Sequence, residues 1–403
     1  MDTLVFHQEI GCCADIIRQG GLVSVPTETV YGLAGDALNT DAVRKIYEVK
    51  GRPPVKPLSI MIRGKEDIPR YASQVPEAAG FLAEKFWPGP LTIVLKAKDV
   101  IPDIVRAGGA TVGLRCPAHP LTLRLIAEAD TALAAPSANL SGGKSPVCAE
   151  DVLSVFDGQI DAVIDGGLCS FQKESTLIDM STKPFRILRH GAVSEDTIAD
   201  ALAGRMRIIG ITGSSGAGKS SALDVYRREG AFVIDCDLLY HDMLREDAAM
   251  IAEILERFPG ASDENHAVSR KKLGEIVFRD SRELEALNAL THRHITSRLR
   301  QLLRKCAMDG YDTAVIDAVE LISSGISEVC DFTLAVLASR EVRIQRIMQR
   351  DGIDRRQAEL RVDAQKSDTY YREHCTYTVN NDEDADITSE AFRNKFINLS
   401  GEK

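Results

Sequence analysis

Residues Gly213-Ser214-Ser215-Gly216-Ala217-Gly218-Lys219-Ser220 satisfy the pattern G-x-x-x-x-G-K-[ST] at every position. Such a loop suits one chemistry, the holding of a polyphosphate. Glycines let the backbone fold close around phosphate oxygens, and a helix starting at the loop adds free N–H groups and the positive end of its dipole. The flanks fit this reading: Ile208-Ile209-Gly210-Ile211-Thr212 reads as a strand leading in, and 219–229 as a helix leading out. Gly213, Ser215, Gly216, Ala217, Gly218, Lys219, Ser220 and Ser221 are therefore the candidate contacts to a nucleoside triphosphate. Lys219 would reach the terminal phosphates, and Ser220 would hold Mg²⁺.

Two further groups of residues belong to the same chemistry. Asp235-Cys236-Asp237 follows the apolar strand Ala231–Ile234, which would set carboxylates at a strand edge beside the loop. One could take the proton of an attacking hydroxyl while the other orders Mg²⁺ or caps the next helix. Downstream, Arg346, Arg350, Arg355, Arg356 and Arg361 crowd two helices around Asp351-Gly352. A solvated helix face is the ordinary meaning of such a run; a cationic lid closing on phosphate oxygens is the reading favoured here, with Arg350 among the ATP contacts. A GTP-specific reading lacks its Asn-Lys-x-Asp motif, since Asn394-Lys395 continues as Phe396-Ile397.

The amino-terminal half offers cations instead of a phosphate loop. Lys50, Arg52, Lys56 and Arg115 accompany loops of small hydroxyl residues: Pro26-Thr27-Glu28-Thr29-Val30-Tyr31-Gly32-Leu33, Ala135-Pro136-Ser137-Ala138-Asn139 and Ser175-Thr176-Leu177. That combination suggests a pocket for phosphate and carboxylate. No Ser-His-Asp set or metal-ligand spacing is visible, and His119 and His190 read as structural.

These groups need scaffolds to position them. A chain of 403 residues exceeds one ordinary core, so two domains of about 200 residues are expected. The boundary falls near Ala203-Gly204-Arg205, giving 1–204 and 205–403, with a short helix over 194–202 before it. Strands are expected over 21–26, 58–62, 91–95, 111–114, 162–164 and 186–188, and a helix over 41–50 where Val43, Ile46 and Tyr47 share a face. In the second half, strands at 208–212, 231–234, 314–316 and 333–338 alternate with helices over about 219–229, 238–258 and 281–307. The fold class is α/β throughout, with a parallel sheet expected in the second domain.

Bulk properties narrow the function classes. The net charge is −10, and residues 1–205 carry 21 Lys and Arg against 25 Asp and Glu. No stable nucleic-acid binding is expected from such a balance. Nine scattered cysteines without a C-x-x-C pair read as reduced thiols. The start Met1-Asp2-Thr3 has no secretory pattern, and no apolar run approaches the ~18 residues a membrane span needs. A cytoplasmic protein with no membrane partner is the expectation.

From about Arg207 to Asp382 the chain resembles dephospho-coenzyme A kinase. The likeness rests on Ile211-Thr212 with the phosphate loop, Asp235-Cys236-Asp237, Lys272-Leu273-Gly274-Glu275-Ile276-Val277-Phe278, Leu287-Asn288 with His292, Arg350-Asp351-Gly352 with Gln365, and Tyr377-Thr378-Val379-Asn380-Asn381. The resemblance implies that Asp237 is the general base for the ribose 3′-hydroxyl of dephospho-coenzyme A and that ATP is the phosphoryl donor. The chain departs from the family at His292-Arg293, often His-Pro there, and at Leu321-Ile322-Ser323-Ser324-Gly325, where the family commonly carries an acidic residue.

Residues 7–195 resemble the YrdC family of threonylcarbamoyl-adenylate synthases, through Lys50-Gly51-Arg52, Ser137-Ala138-Asn139 and the segments quoted above. The resemblance implies a twisted mixed sheet with helices, and the joining of L-threonine, bicarbonate and ATP into threonylcarbamoyl-AMP. That product serves the tRNA threonylcarbamoyl-transfer machinery acting at adenosine 37. It further implies nucleotide contacts at Lys50, Arg52, Lys56, Thr111, Ser137, Asn139, Ser145 and Arg189, with Lys50 and Arg52 stabilising phosphate charge. Threonine contacts fall on Thr27, Tyr31, Arg115 and Ser175, Arg115 pairing with the carboxylate. Two other readings stay open: an RNA-binding module in the first half, and a kinase for another small molecule in the second.

Overall fold

The computed structural model describes residues 2–382 and 385–401. The chain divides into two compact units, Met1–Leu202 with Met308–Gly310, and Ala203–Ala307 with Tyr311–Lys403. Residues 1, 383, 384, 402 and 403, which the expected domain limits include, lie outside the described residues. The helix expected over 194–202 spans Glu195–Arg205 and so takes in the residues at which the boundary was expected. Its sequence, Glu-Asp-Thr-Ile-Ala-Asp-Ala-Leu-Ala-Gly-Arg, holds nothing stronger than Gly204 to break it.

The first unit is built on one mixed sheet. Its strands are β1 (Leu4–Phe6), β2 (Val23–Val25), β3 (Gly32–Asp36), β4 (Ser59–Met61), β5 (Ala72–Ser73), β6 (Leu91–Ala97), β7 (Thr111–Arg115), β8 (Leu133–Ala134), β9 (Ala162–Ile164), β10 (Thr176–Asp179) and β11 (Arg186–Arg189). They run in the order β1-β9-β2-β3-β8-β4-β7-β6-β10-β11, with β5 added on β6. Six of these were expected; β1, β3, β5, β8 and β10 are two to five residues long and carry too little alternation to read. Helices cover the sheet, burying Ile10, Cys13, Ala14 and Ile17 from one and Leu125, Ile126 and Ala129 from another against β2, β3 and β9.

The helix Thr40–Lys50 illustrates how sequence positions a functional group. The Asn39 side chain accepts from the N–H groups of Asp41 and Ala42 at its start, and Gly51 ends it at φ +57°. Its apolar face buries Val43, Ile46 and Tyr47 as expected, and the same face delivers Lys50, 2% exposed, into the interior at the last turn.

The second unit has a five-stranded all-parallel sheet in the order β13-β14-β12-β15-β16, from β12 (Arg207–Thr212), β13 (Phe232–Asp235), β14 (Thr313–Asp317), β15 (Phe332–Leu337) and β16 (Tyr377–Asn380). Ile209, Ile211, Val315, Leu334 and Val336 pack with Ala222, Leu223 and Tyr226 of the helix Lys219–Arg228. The expected helix over 238–258 is two helices, Cys236–Glu246 and Ala248–Arg257. Asp247 breaks it: its backbone is extended and its side chain caps the second helix by accepting from Met250 N–H at 3.0 Å.

Candidate active sites

In the first unit, helix, strand ends and loops converge on a cavity of about 330 Å³. Lys50, Arg52, Arg115 and Arg189 line it, with Tyr31, Ser137, Asn139, Glu174 and Ser175. Lys50 Nζ donates to the carbonyls of Ser137 and Asn139, so its ammonium is fixed against the loop that follows β8. Burial lowers the Lys50 pKa to about 8, with the nearby Arg52 adding to the fall. Asn139 organises that loop, accepting from Ser137 Oγ at 2.5 Å and donating to the carbonyls of Leu140 and Gly143. Arg52 is steered by the Lys56 and Pro57 carbonyls, which accept at 3.3 and 3.0 Å.

Arg115, the last residue of β7, is 7% exposed, and its charge is compensated by a residue the sequence reading passed over. Its Nη2 donates to Glu28 Oε1 at 2.7 Å and to Thr29 Oγ1 at 2.8 Å, and its Nε to the Gly89 carbonyl at 3.3 Å. Nη1 has no hydrogen-bond partner among the described residues, which leaves one edge of the guanidinium for a ligand. Burial lowers the Arg115 pKa, and Glu28 opposes the fall. Thr27 stands one hydroxyl behind: fully buried, its Oγ1 lies 2.8 Å from Thr29 Oγ1. Tyr31 is fixed by its hydroxyl, which donates to the Gly167 carbonyl at 2.9 Å and accepts from Gly166 N–H at 3.1 Å; burial raises its pKa.

Ser175 and Arg189 form one assembly. Arg189 Nε donates to Ser175 O at 3.0 Å and Nη2 to Ser175 Oγ at 2.9 Å, while Thr92 Oγ1 lies 2.8 Å from that hydroxyl. Ser145 reaches the cavity only through Glu174, to which its Oγ donates at 2.9 Å. Two more expected nucleotide contacts stand off the wall. Lys56 is exposed and presents its carbonyl rather than its amine to the neighbours. Thr111 opens β7 four residues before Arg115, about 13 Å away at the rise of an extended strand.

In the second unit the carboxyl ends of β12, β13 and β14 face a cavity of about 850 Å³ lined by Gly213, Ser215, Gly216, Gly218, Lys219 and Ser220. The loop needs its glycines. A Cβ on Gly213 (φ +143°) would collide with the Val336 carbonyl, and one on Gly218 (φ +92°) with the Asn381 amide. The loop's carbonyls are held by side chains: Arg343 Nε donates to Ser215 O at 3.2 Å, Arg346 Nη1 to Gly216 O at 3.3 Å, and Asn381 Nδ2 to Ala217 O at 2.7 Å. Ala217 is buried and Ser221 sits outside the cavity wall.

Lys219 Nζ lies 3.3 Å from Asp317 Oδ1. Asp317 ends β14 and sits directly opposite Asp235 in the β13–β14 register; both line the cavity. Asp235 is committed to the following helix, accepting from Leu238 N–H at 2.9 Å. Asp237, on the first turn of that helix, is not part of the cavity wall. Burial raises the Asp237 pKa against the pull of Lys219, and burial likewise raises that of Asp317. Of the arginine cluster, Arg346 and Arg350 line the cavity, Arg350 Nη2 donating to Ser215 Oγ at 3.2 Å. Arg355 is paired with Glu341 and Glu359, Arg361 with Asp351, and Arg356 is exposed. The donor set Ser220, Asp235 and Asp317 is all hard oxygen, as Mg²⁺ requires. Among the described residues no helix is long and apolar enough to cross a membrane.

Comparison with known proteins gives each unit a family. The Sua5/YciO/YrdC family, described as telomere recombination, matches residues 15–191, and the dephospho-CoA kinase family matches residues 207–386. A threonylcarbamoyl-AMP synthase of Pyrococcus abyssi is 44% identical over 200 residues, which are 50% of this chain and 58% of that protein. One of Halorhodospira halophila is 34% identical over 163 residues, 40% of this chain and 85% of its own length. A solved structure of P. abyssi Sua5 complexed with L-threonine aligns at 27% identity and a TM-score of 0.48, over 83% of this chain and 99% of its own. The chain thus spans little more than half the length of the P. abyssi relative, and the remainder of the chain is of a different kind. It belongs to the Sua5/YrdC family through residues 15–191, fused to a dephospho-CoA kinase domain at residues 207–386.

Proposed function

We propose that the chain is a bifunctional enzyme with two separate ATP sites. Residues 1–204 form threonylcarbamoyl-AMP from L-threonine, bicarbonate and ATP, for transfer to adenosine 37 of tRNA by other proteins. Residues 205–403 phosphorylate the ribose 3′-hydroxyl of dephospho-CoA with ATP and Mg²⁺.

For the first reaction the supporting observation is the cavity of four cationic side chains with one buried, internally compensated arginine among them. Arg115 presents Nη1 to the threonine carboxylate, while Glu28 and Thr29 fix its orientation. Lys50 and Arg52 receive phosphate oxygens, and their charge grows in value as pyrophosphate departs from the α-phosphorus. Lys50 is pinned by two carbonyls, so no reorganisation is spent when that charge develops.

For the second reaction support comes from a phosphate loop whose carbonyls are tied up by side chains and whose lysine lies beside Asp317. Mg²⁺ held by Ser220 and the strand-edge carboxylates, directly or through water, would neutralise phosphate charge. Asp237 takes the proton of the attacking hydroxyl, its raised pKa making it a better base than a solvated aspartate. Asp235, spent on its helix cap, is the weaker candidate. Arg350 stands at Ser215, ready to meet a phosphate oxygen.

Purified chain should release pyrophosphate only when threonine and bicarbonate accompany ATP, and should form ADP when dephospho-CoA is added. Pyrophosphate release without threonine, or ADP formation indifferent to the acceptor, overturns the respective half.

A further inference from the structure

Among the described residues, Glu174 is the only carboxylate on the wall of the amino-terminal cavity. Each of its oxygens is taken by a different group: Ser145 Oγ donates to Oε1 at 2.9 Å, and Arg189 Nη1 lies 2.9 Å from Oε2. Those two partners are the same Ser145 and Arg189 assigned to the nucleotide. A carboxylate bridging a hydroxyl and a guanidinium has the geometry with which a phosphate would bridge them.

The surroundings indicate which member of this trio can yield. Arg189 keeps its place without Glu174, since Nε and Nη2 are fixed by the Ser175 carbonyl and hydroxyl at 3.0 and 2.9 Å. The Glu174 backbone is also held, its carbonyl accepting from Ala192 N–H at 2.9 Å. What remains free to move is the Glu174 side chain. The pair is accessible, with side-chain exposures of 43% for Arg189 and 36% for Glu174, so separating it in water costs little.

We propose that Glu174 is an internal competitor at the nucleotide site: its carboxylate occupies a phosphate position and leaves only for a ligand that supplies anionic oxygens to both Ser145 and Arg189. A polyphosphate meets that demand. Orthophosphate or bicarbonate can span the same two partners but has no further hold with which to displace the tethered carboxylate, whereas a polyphosphate is also anchored at Lys50 and Arg52, so the small anions are excluded at concentrations where the polyphosphate enters. The proposal rests on the synthase reading above for the identity of the ligand.

The test is calorimetric titration of ATP into the full chain carrying Lys219→Ala, which weakens the second ATP site, with and without Glu174→Gln. Lys50→Ala in the same background marks what binding at this cavity contributes. Removing the internal competitor should tighten ATP about fivefold, and orthophosphate titrated in parallel by about the same factor, since each must displace the same contact. Glu174→Ala should act in the same direction. ATP binding that is unchanged or weaker in both variants overturns the proposal and makes Glu174 a support for Arg189. If the chain binds ATP here but releases no pyrophosphate with threonine and bicarbonate, the synthase reading falls while the comparison still decides the role of Glu174.

Discussion

Replacing Glu28 by Gln removes one atom's charge and no volume, yet the geometry makes it a severe change. Glu28 Oε1 receives Arg115 Nη2, and Oε2 receives Ala118 N–H at 2.8 Å. A glutamine has one acceptor and one donor at those positions. Whichever way it is placed, its NH₂ meets either the guanidinium or the Ala118 N–H, leaving a buried donor without a partner. Both side chains of the ion pair are less than 10% exposed, so solvent screening offers little relief. Breaking a buried pair from one side costs about 3–5 kcal/mol, and the unpaired amide lies within the same figure rather than beyond it. For a unit of this size each kcal/mol corresponds to about 2–4 °C, so the midpoint for heat inactivation of threonine-dependent pyrophosphate release should fall by about 6–20 °C. Activity measured well below that midpoint should show a raised KM for threonine, because Arg115 is no longer aimed. ADP formation with dephospho-CoA, assayed on the same preparation, serves as the control and should keep its midpoint. A fall of less than about 2 °C with an unchanged threonine KM would refute the reasoning, since it would mean that Arg115 is oriented by Thr29 and Gly89 alone.

Lys219→Ala should abolish ADP formation with dephospho-CoA and leave pyrophosphate release nearly intact; parallel loss of both would contradict two separate sites. Asp237→Asn should lower the phosphoryl-transfer rate by about 10²–10⁴-fold with ATP affinity retained, and a mild effect beside a crippling Asp235→Asn would reverse their roles. Lys50 supplies a pH signature. Its folded pKa, about 8, is below the ordinary value of 10.5, so between those pH values the unfolded chain binds more protons and stability should rise with pH. Below pH 8 the buried charge is present and that gain is absent, while phosphate affinity at the cavity should be strongest there and weaken as pH climbs past 8. Both trends should vanish in Lys50→Met, as followed by urea unfolding and ATP titration from pH 6.5 to 9.5.

The parts of these sites that could be read in the chain are those written in contiguous residues. The phosphate loop is complete within eight positions, and the helix that delivers Lys50 declares itself by its periodicity and its Asn39 and Gly51 ends. Glu28 was in view within its loop but carried no role, because its meaning comes from Arg115, 87 residues away. Asp317 was missed for a similar reason. A single aspartate at the end of Thr-Ala-Val-Ile-Asp is unremarked until the parallel register sets it opposite Asp235 and beside Lys219. Glu174 likewise gains significance only when Ser145 and Arg189, from separate segments, are brought to its two oxygens. The break at Asp247 was available as a signal, an Asp before Ala-Ala-Met, and was outweighed by the helical periodicity on both sides.

The clamp on the back of the phosphate loop has a mechanical corollary. Arg343 and Arg346 belong to the helix Arg340–Asp351 and are anchored to the carbonyls of Ser215, Gly216, Ala217 and Asn381. That helix cannot swing without dragging the loop out of the shape its glycines were needed to reach, so it acts as bedrock and not as a door. The first joint beyond it is Gly352, at φ +62°, with open space where a side chain would stand. Beyond that joint the helix Arg355–Asp363 is tied to the same bedrock, Ala358 and Val362 packing with Ile344 and Ile347 and Asp363 pairing with Arg340, so the two helices behind the loop must move as one block or not at all.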